Sequence, residues 1–335
     1  MQIETDVSLQ PYNTFGIASR AAHFGKAHTL DDIRQAAEAG RPLFILGGGS
    51  NLLLRSDLPG LVVQNCLSGR EVVEEDAASV LIAAGAGEVW HELVQWTIDR
   101  GWGGLENLSL IPGSVGAAPI QNIGAYGVEL ADVFERLEAI DLATGRLETF
   151  SLSDCRFGYR DSAFKNAWKG KFCITRVFLR LQKAPELRLA YGAIRDTLAE
   201  MGVSVPGIRD VSEAVIRIRR SKLPDPAVIG NSGSFFKNPE LPASRFQALQ
   251  ARFPDIVSYP LPDGRVKLPA GWLIERCGWK GKKVGKVGCF EKQALVLVNH
   301  GGATGEEVYA LAQRIVATVE EKFGVRLSPE VNVWP

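Results

Sequence analysis

From Asn107 to Val128 the chain reads NLSLIPGSVGAAPIQNIGAYGV, without a charged residue, although Glu106 stands before it and Glu129 after it. An uncharged stretch of this length belongs either in a bilayer or against the interior of a folded protein. Pro112, Gly113, Gly116, Pro119 and Gly124 interrupt any helix long enough to cross a membrane, and amides left unpaired in lipid are costly. The bilayer is therefore excluded. What remains is a loop-and-turn segment whose small residues let backbone N–H and C=O groups come close to a large ligand.

A second glycine-rich element lies upstream. Leu43–Leu46 and Leu52–Leu54 are short apolar runs on either side of Gly47, Gly48, Gly49, Ser50 and Asn51, which predicts strand, glycine turn, strand. Successive amides of such a turn can form a nest for a pyrophosphate, with Ser50 and Asn51 adding side-chain hydrogen bonds. The motif matches neither of the standard phosphate-loop patterns, and alone it is equally an ordinary tight turn. Two glycine-rich loops in separate parts of one chain are better explained by a cofactor gripped from both sides.

The 335 residues exceed what one hydrophobic core usually supports, so two or three domains are expected. Short helices are predicted over Leu30–Ala39, Trp90–Arg100 and Val211–Arg220, the last crowded at its end with Arg217, Arg219 and Arg220; a long amphipathic helix is predicted over Thr304–Phe323. Strands are expected at Val80–Ala84, Leu137–Leu142, Glu148–Leu152, Phe172–Leu181 and in ALVLVNH. Lys plus Arg equals Asp plus Glu at 38 each, which argues against a nucleic-acid or membrane-surface binder. Cys66, Cys155, Cys173, Cys277 and Cys289 are scattered without CxxC spacing, as in a reduced protein with no disulfide framework or structural zinc. His91 follows Trp90 at a helix start and reads as a capping or packing residue, and no metal is expected. The opening MQIETDVSLQ shows no basic segment followed by an apolar core, so cytoplasm is the expected compartment.

NTFG, ILGGGSNLLL, PGSVGAAPIQNIGAYG, FGYRDSAFK, SKLPDP, GSFFKNP and LSPE occur here in the order seen in the UDP-N-acetylenolpyruvoylglucosamine reductase (MurB) family, and the chain resembles that family from Asn13 to Glu330. LAYGAI resembles the longer loop of its type I branch. The resemblance implies an α+β protein: an FAD-binding fold of the vanillyl-alcohol-oxidase (PCMH) type in two subdomains, 1–70 and 71–220, and an α/β C-terminal substrate-binding domain, 221–335, whose last strand is a candidate to return to the FAD domain. It implies FAD as cofactor, NADPH as co-substrate, a small UDP-sugar substrate and a monomer with no nucleic-acid or membrane partner.

Residue by residue, the resemblance puts the cofactor on Gly47, Gly48, Gly49, Ser50 and Asn51 and on Pro112, Gly113, Ser114, Gly116, Ala117, Gln121, Asn122, Gly124 and Tyr126. Arg160 becomes the guanidinium facing an enolpyruvyl carboxylate, a role its planar fork suits. Ser234 becomes the proton donor, sensible for so weak an acid only toward a strongly basic carbanion or enolate. Glu330 becomes the carboxyl that stabilises that intermediate or relays a proton. Tyr159, Tyr191, Lys222, Asn238 and Gln293 are implied as substrate-binding. Read without the family, FGYRDS is a surface arginine paired with Asp161, and Gly233-Ser234 a turn hydroxyl bonded to its own backbone. Two other functions stay open at this point: a flavin oxidase of the same fold acting on an alcohol or sugar, and a non-catalytic flavin-binding module.

Overall fold

The strands on either side of the triple glycine do not pair with each other. Leu43–Leu46 lies parallel to Leu58–Asn65, with Phe44 opposite Val62, whereas Leu52–Leu54 lies parallel to the closing strand Asn332–Trp334. The glycines are thus where the chain leaves one sheet for another, not the tip of a hairpin. The computed structural model describes all residues, Met1–Pro335. Its contacts divide into one unit of Met1–Val7, Ala21–Gly49 and Leu58–Ser221, and a second of Ser8–Arg20, Ser50–Asp57 and Lys222–Pro335.

In the first unit, a four-stranded sheet runs in the order Ile3–Ser8, Arg20–Ala27, Leu58–Asn65, Leu43–Leu46. Helix Leu30–Glu38 makes the crossover between parallel strands. Thr29 starts it, accepting from the Asp32 N–H while Asp32 accepts from Thr29, and Ile33 and Ala36 are its buried face. The strand it covers is apolar on both faces, with Leu61, Val62 and Val63 all fully buried, as parallel strands require.

The second sheet of this unit is antiparallel, ordered Leu147–Ser151, Phe134–Asp141, Phe172–Gln182, Ser79–Gly85, Arg70–Glu75. On its solvated face Arg180 pairs with Glu74 and Glu135, and Arg176 with Glu71. Its other face carries the main core, and the uncharged run is part of it. Leu108, Val115, Ala118, Ile123 and Val128 pack there with Val80, Ile82, Trp90, Leu93 and Val177. The run folds as short helical turns Glu106–Leu108, Val115–Ala117 and Pro119–Gln121 and a small hairpin, Gly124–Ala125 with Val128–Glu129. Charge is absent partly because a charged side chain here would be buried without a partner.

The second unit holds an antiparallel sheet ordered Gly230–Ser234, Val296–Asn299, Val287–Cys289, Lys283–Val284. Helix Gly305–Phe323 packs on it, begun by a Thr304–Glu307 capping box and stopped by Gly324 at φ 66°. Two early segments, expected from sequence in the first cofactor subdomain, pack with this unit. Leu52–Leu54 takes the closing strand as partner, and Asn231 N–H and the Asn299 side chain donate to Thr14 and Phe15 carbonyls.

Gly305 lies against this early segment. A Cβ there would stand 1.6 Å from the Leu54 carbonyl oxygen and 2.8 Å from Arg55 Cα, both backbone. Gly305→Ala is expected to destabilise the protein by at least about 2 kcal/mol, the scale of overpacking, even though alanine is the better helix former. A urea midpoint at or above that of the unchanged protein would contradict this packing.

Candidate active site

The two glycine-rich loops meet in the first unit. A Cβ on Gly48 would lie 3.0 Å from Gly113 Cα, and one on Gly47 would lie 2.5 Å from Ser114 Oγ. Backbone therefore faces backbone. The second loop is held from behind by the turn Gly85–Glu88: Gly116 N–H donates to Ala86 O and Val115 N–H to Glu88 O, both at 2.8 Å, while Gly113 O accepts from Trp90 N–H. A Gly116 Cβ would strike the Ala86 Cβ at 2.5 Å, so this glycine is required for close packing.

Of the six non-glycine residues with positive φ, four belong to this neighbourhood: Leu110, Asn122, Tyr126 and Arg160. Strain of this kind costs on the order of 1–3 kcal/mol per residue and concentrates at functional sites. Arg160 shares the tip of a tight turn with Tyr159, closed because Gly158 and Asp161 exchange both backbone hydrogen bonds. Its guanidinium donates to Gly124 O and reaches Glu129 at 4.0 Å. A Cβ on Gly124 would fall 2.9 Å from Arg160 Nη1, which explains the glycine. Asp161, the partner expected for a surface arginine, instead accepts from Asn166 Nδ2 at 2.8 Å.

The Asn122 side chain is bonded within the protein. Its side chain is 1% exposed; Nδ2 donates to Glu129 Oε2 and Gly158 O, and Oδ1 accepts from Ala131 N–H. It organises the Arg160 turn. Asn107 does the same for the run itself, donating to Tyr126 O at 3.0 Å and to Arg188 O at 2.9 Å, so that one end of the run holds the other. The Tyr126 and Tyr191 rings meet edge-on at 5.3 Å, which brings the candidate substrate loop to the candidate cofactor loop.

Beside Tyr126 stands a residue that in the sequence is one of three arginines crowding a helix end. Arg219, on helix Ile208–Lys222, donates from Nε to Leu110 O at 3.2 Å and lies beside the Tyr126 hydroxyl. Burial, and then the neighbouring Arg160, push its pKa down. Desolvation raises that of Tyr126. Cations at a helix C-terminus ordinarily answer the helix dipole, so nothing in the sequence separated Arg219 from Arg217 and Arg220.

The second unit assembles Ser234 and Glu330. Gly233, at φ 68°, and a register shift between Asn231 and Ser234 turn the end of the strand. The next residues take the LSPE segment as partner: Glu330 N–H donates to Phe235 O at 2.8 Å, Lys237 N–H donates to Ser328 O, and Phe236 bridges Pro329. Asn51 Nδ2 donates to Glu330 O and Asn51 O accepts from Asn332 N–H, while Ser232 Oγ donates to Ser50 O. Ser50 and Asn51 thus brace the serine and glutamate segments. Asn238 Oδ1 caps helix Ala270–Arg276 by accepting from Ala270 N–H, and Gln293 Oε1 accepts from Leu295 N–H. Lys222 is exposed at the end of its helix, where the second unit begins.

No helix is long and apolar enough to cross a membrane, and no group of three or more His, Cys, Asp or Glu side chains is placed to hold a metal ion.

Residues 27–151 match a family model described as FAD binding domain, and 225–334 match one described as UDP-N-acetylenolpyruvoylglucosamine reductase, C-terminal domain. The chain is 54% identical to the UDP-N-acetylenolpyruvoylglucosamine reductase of Pseudomonas aeruginosa, over 100% of this chain and 99% of the relative. It is 52% identical to the Azoarcus sp. protein of the same name, over 98% and 97%. Its fold is similar to that of the solved UDP-N-acetylenolpyruvylglucosamine reductase of Thermus caldophilus, with a TM-score of 0.72, 27% identity and full coverage of both chains. A solvent-stable cholesterol oxidase shares the fold at a TM-score of 0.51 and 12% identity, covering 98% of this chain and 86% of the other. The residues present fit an FAD. A Cβ on Gly48 would crowd the Gly113 backbone and one on Gly47 would strike Ser114 Oγ, so the two loops can meet only with bare backbone at Gly47 and Gly48, and the partly buried Arg219 supplies positive charge suited to an anionic cofactor.

Proposed function

The chain belongs to the UDP-N-acetylenolpyruvoylglucosamine reductase family, and on that premise we propose that Arg160, Ser234 and Glu330 carry its chemistry. It is an FAD-dependent oxidoreductase that reduces the enolpyruvyl group of UDP-N-acetylglucosamine enolpyruvate in peptidoglycan precursor synthesis. An FAD held by these loops would supply hydride chemistry between NADPH and the enolpyruvyl methylene carbon.

Each of the three residues then has a separate task. Hydride arrival leaves negative charge on the carbon beside the carboxylate, and Arg160 holds that carboxylate and draws the charge toward itself. Ser234 breaks its O–H bond to place the proton on this carbon, so that one hydride and one proton complete the lactyl ether of UDP-N-acetylmuramate. Glu330 stabilises the enolate-like state or relays the proton that restores the serine. Tyr159, Tyr191, Lys222, Asn238 and Gln293 bind the sugar nucleotide, and Lys222 also meets the NADPH diphosphate. The protein works as a monomer in the cytoplasm. The observation that supports this reading is the Glu330 N–H bond to Phe235 O: the segments that carry Ser234 and Glu330 adjoin, and Asn51 braces them.

Anaerobic stopped-flow absorbance tests it. The flavin is expected to bleach on mixing with NADPH and to regain colour when the enolpyruvyl nucleotide is added. Rapid recolouring in air with no acceleration by that nucleotide would instead indicate an oxidase.

A further inference from the structure

His91 does not cap its helix; the residue in the N-cap position of Trp90–Ile98 is Val89. Instead its Nδ1 accepts from Leu110 N–H at 3.0 Å. Arg219 Nε donates to Leu110 O at 3.2 Å. Both polar backbone groups of one residue are therefore held by side chains, and that residue is in the left-handed region, at φ 57°. Leucine has no intrinsic preference for this conformation, so the two side chains account for its persistence. Leu110 stands two residues before Pro112-Gly113-Ser114, the part of the run that meets Gly47 and Gly48.

We propose that His91 is a positioning residue for the cofactor: with Arg219 it clamps Leu110 and so fixes the loop that presents Gly113 and Ser114 to the flavin nucleotide. This rests on the assignment of the run to FAD binding. A backbone N–H can only donate, so Nδ1 must carry the lone pair and the imidazole must be neutral with its proton on Nε2. The groups acting on it are consistent with that state. Burial first, then Arg220 and Arg219 on the facing helix, lower its pKa, and only Glu92 on its own helix opposes them. Protonation would remove the acceptor and put a third cation beside two arginines. The clamp is thus complete above the ordinary histidine range, and is lost as pH falls through the lowered value.

The test measures FAD binding to apoprotein, by flavin fluorescence quenching, across pH 4.5 to 8. The unchanged protein is expected to lose affinity at the acidic end. His91→Gln, whose Oε1 accepts without titrating, is expected to bind near the unchanged affinity at pH 8 and to lose most of that acid dependence. His91→Leu is expected to bind about tenfold more weakly at pH 8, the loss of one hydrogen bond, with little left to lose on acidification. Acid dependence undiminished in His91→Gln, or His91→Leu binding as tightly as the unchanged protein, would overturn the proposal. If His91→Leu does not fold, the His91→Gln profile decides alone. FAD binding that is absent in the unchanged protein would point to failure of the cofactor assignment instead.

Discussion

Ser234→Ala is expected to leave reduction of the flavin by NADPH within about twofold of the unchanged rate and to slow its reoxidation by the enolpyruvyl nucleotide by about 10²–10⁴-fold, the range for losing a general acid. The asymmetry follows from chemistry. NADPH oxidation needs no proton from the protein, whereas the carbanionic carbon left by hydride transfer to substrate must be protonated before product can form. It also follows from the local structure, which alanine should not disturb. Phe235 and Phe236 are buried at 0% and 1% exposure, Phe235 N–H donates to Leu295 O, and Phe235 O accepts from Glu330 N–H. The backbone on the C-terminal side of Ser234 is thus set by groups the substitution leaves intact. Stopped-flow traces of the two half-reactions measure the ratio directly; equal slowing of both, or of neither, would remove Ser234 from the proton-donor role.

The local pieces of this fold were legible because they depend on neighbours in sequence. Leu43–Leu46 and Leu52–Leu54 appear at the predicted positions, and the helix predicted over Thr304–Phe323 forms over Gly305–Phe323, with Thr304 as its N-cap and Gly324 as its C-cap. The pairing of those two strands was not legible in either segment itself, and only the family resemblance raised the return of the last strand. Leu52–Leu54 takes Asn332–Trp334, a partner at the far end of the chain, and no periodicity within either segment encodes that choice. Asn122, Asn238 and Gln293, read from sequence as ligand contacts, each also accept a backbone N–H of the protein on their side-chain oxygen, from Ala131, Ala270 and Leu295. An amide has several donor and acceptor sites, and sequence does not say which are taken by backbone. Arg219 and His91 were hidden for the opposite reason, since a helix-end arginine and a helix-start histidine have ordinary explanations. What distinguishes them is the left-handed Leu110 between them, visible only once the backbone is known.

The second large effect is expected at Gly48. Gly48→Val should yield folded but colourless protein, with FAD affinity lowered by about a hundredfold or more, a loss near 2.7 kcal/mol. The nearest atoms to a new Cβ are Gly113 Cα at 3.0 Å, Gly113 C at 3.3 Å and Ser114 N at 3.4 Å. All are backbone, so no rotamer change relieves the contact, and the γ-methyl groups of valine extend it. The two loops must separate. Gly113 and Ser114 cannot simply retreat, because Gly113 O accepts from Trp90 N–H and Gly116 already touches Ala86. Gly127 provides the contrast needed to tell cofactor geometry from general damage. It belongs to the same run and has φ 81°, but a Cβ there meets nothing within 4 Å. Gly127→Ala should therefore carry only backbone strain, about 1–2 kcal/mol of stability, and should retain its yellow colour. Circular dichroism and the flavin-to-protein absorbance ratio, measured on both variants, separate the two effects. Wild-type flavin content in Gly48→Val would show that the loops do not need this approach to hold the cofactor. A colourless Gly127→Ala of native stability would show that the conformation at Gly127, and not the meeting of Gly48 with Gly113, governs flavin binding.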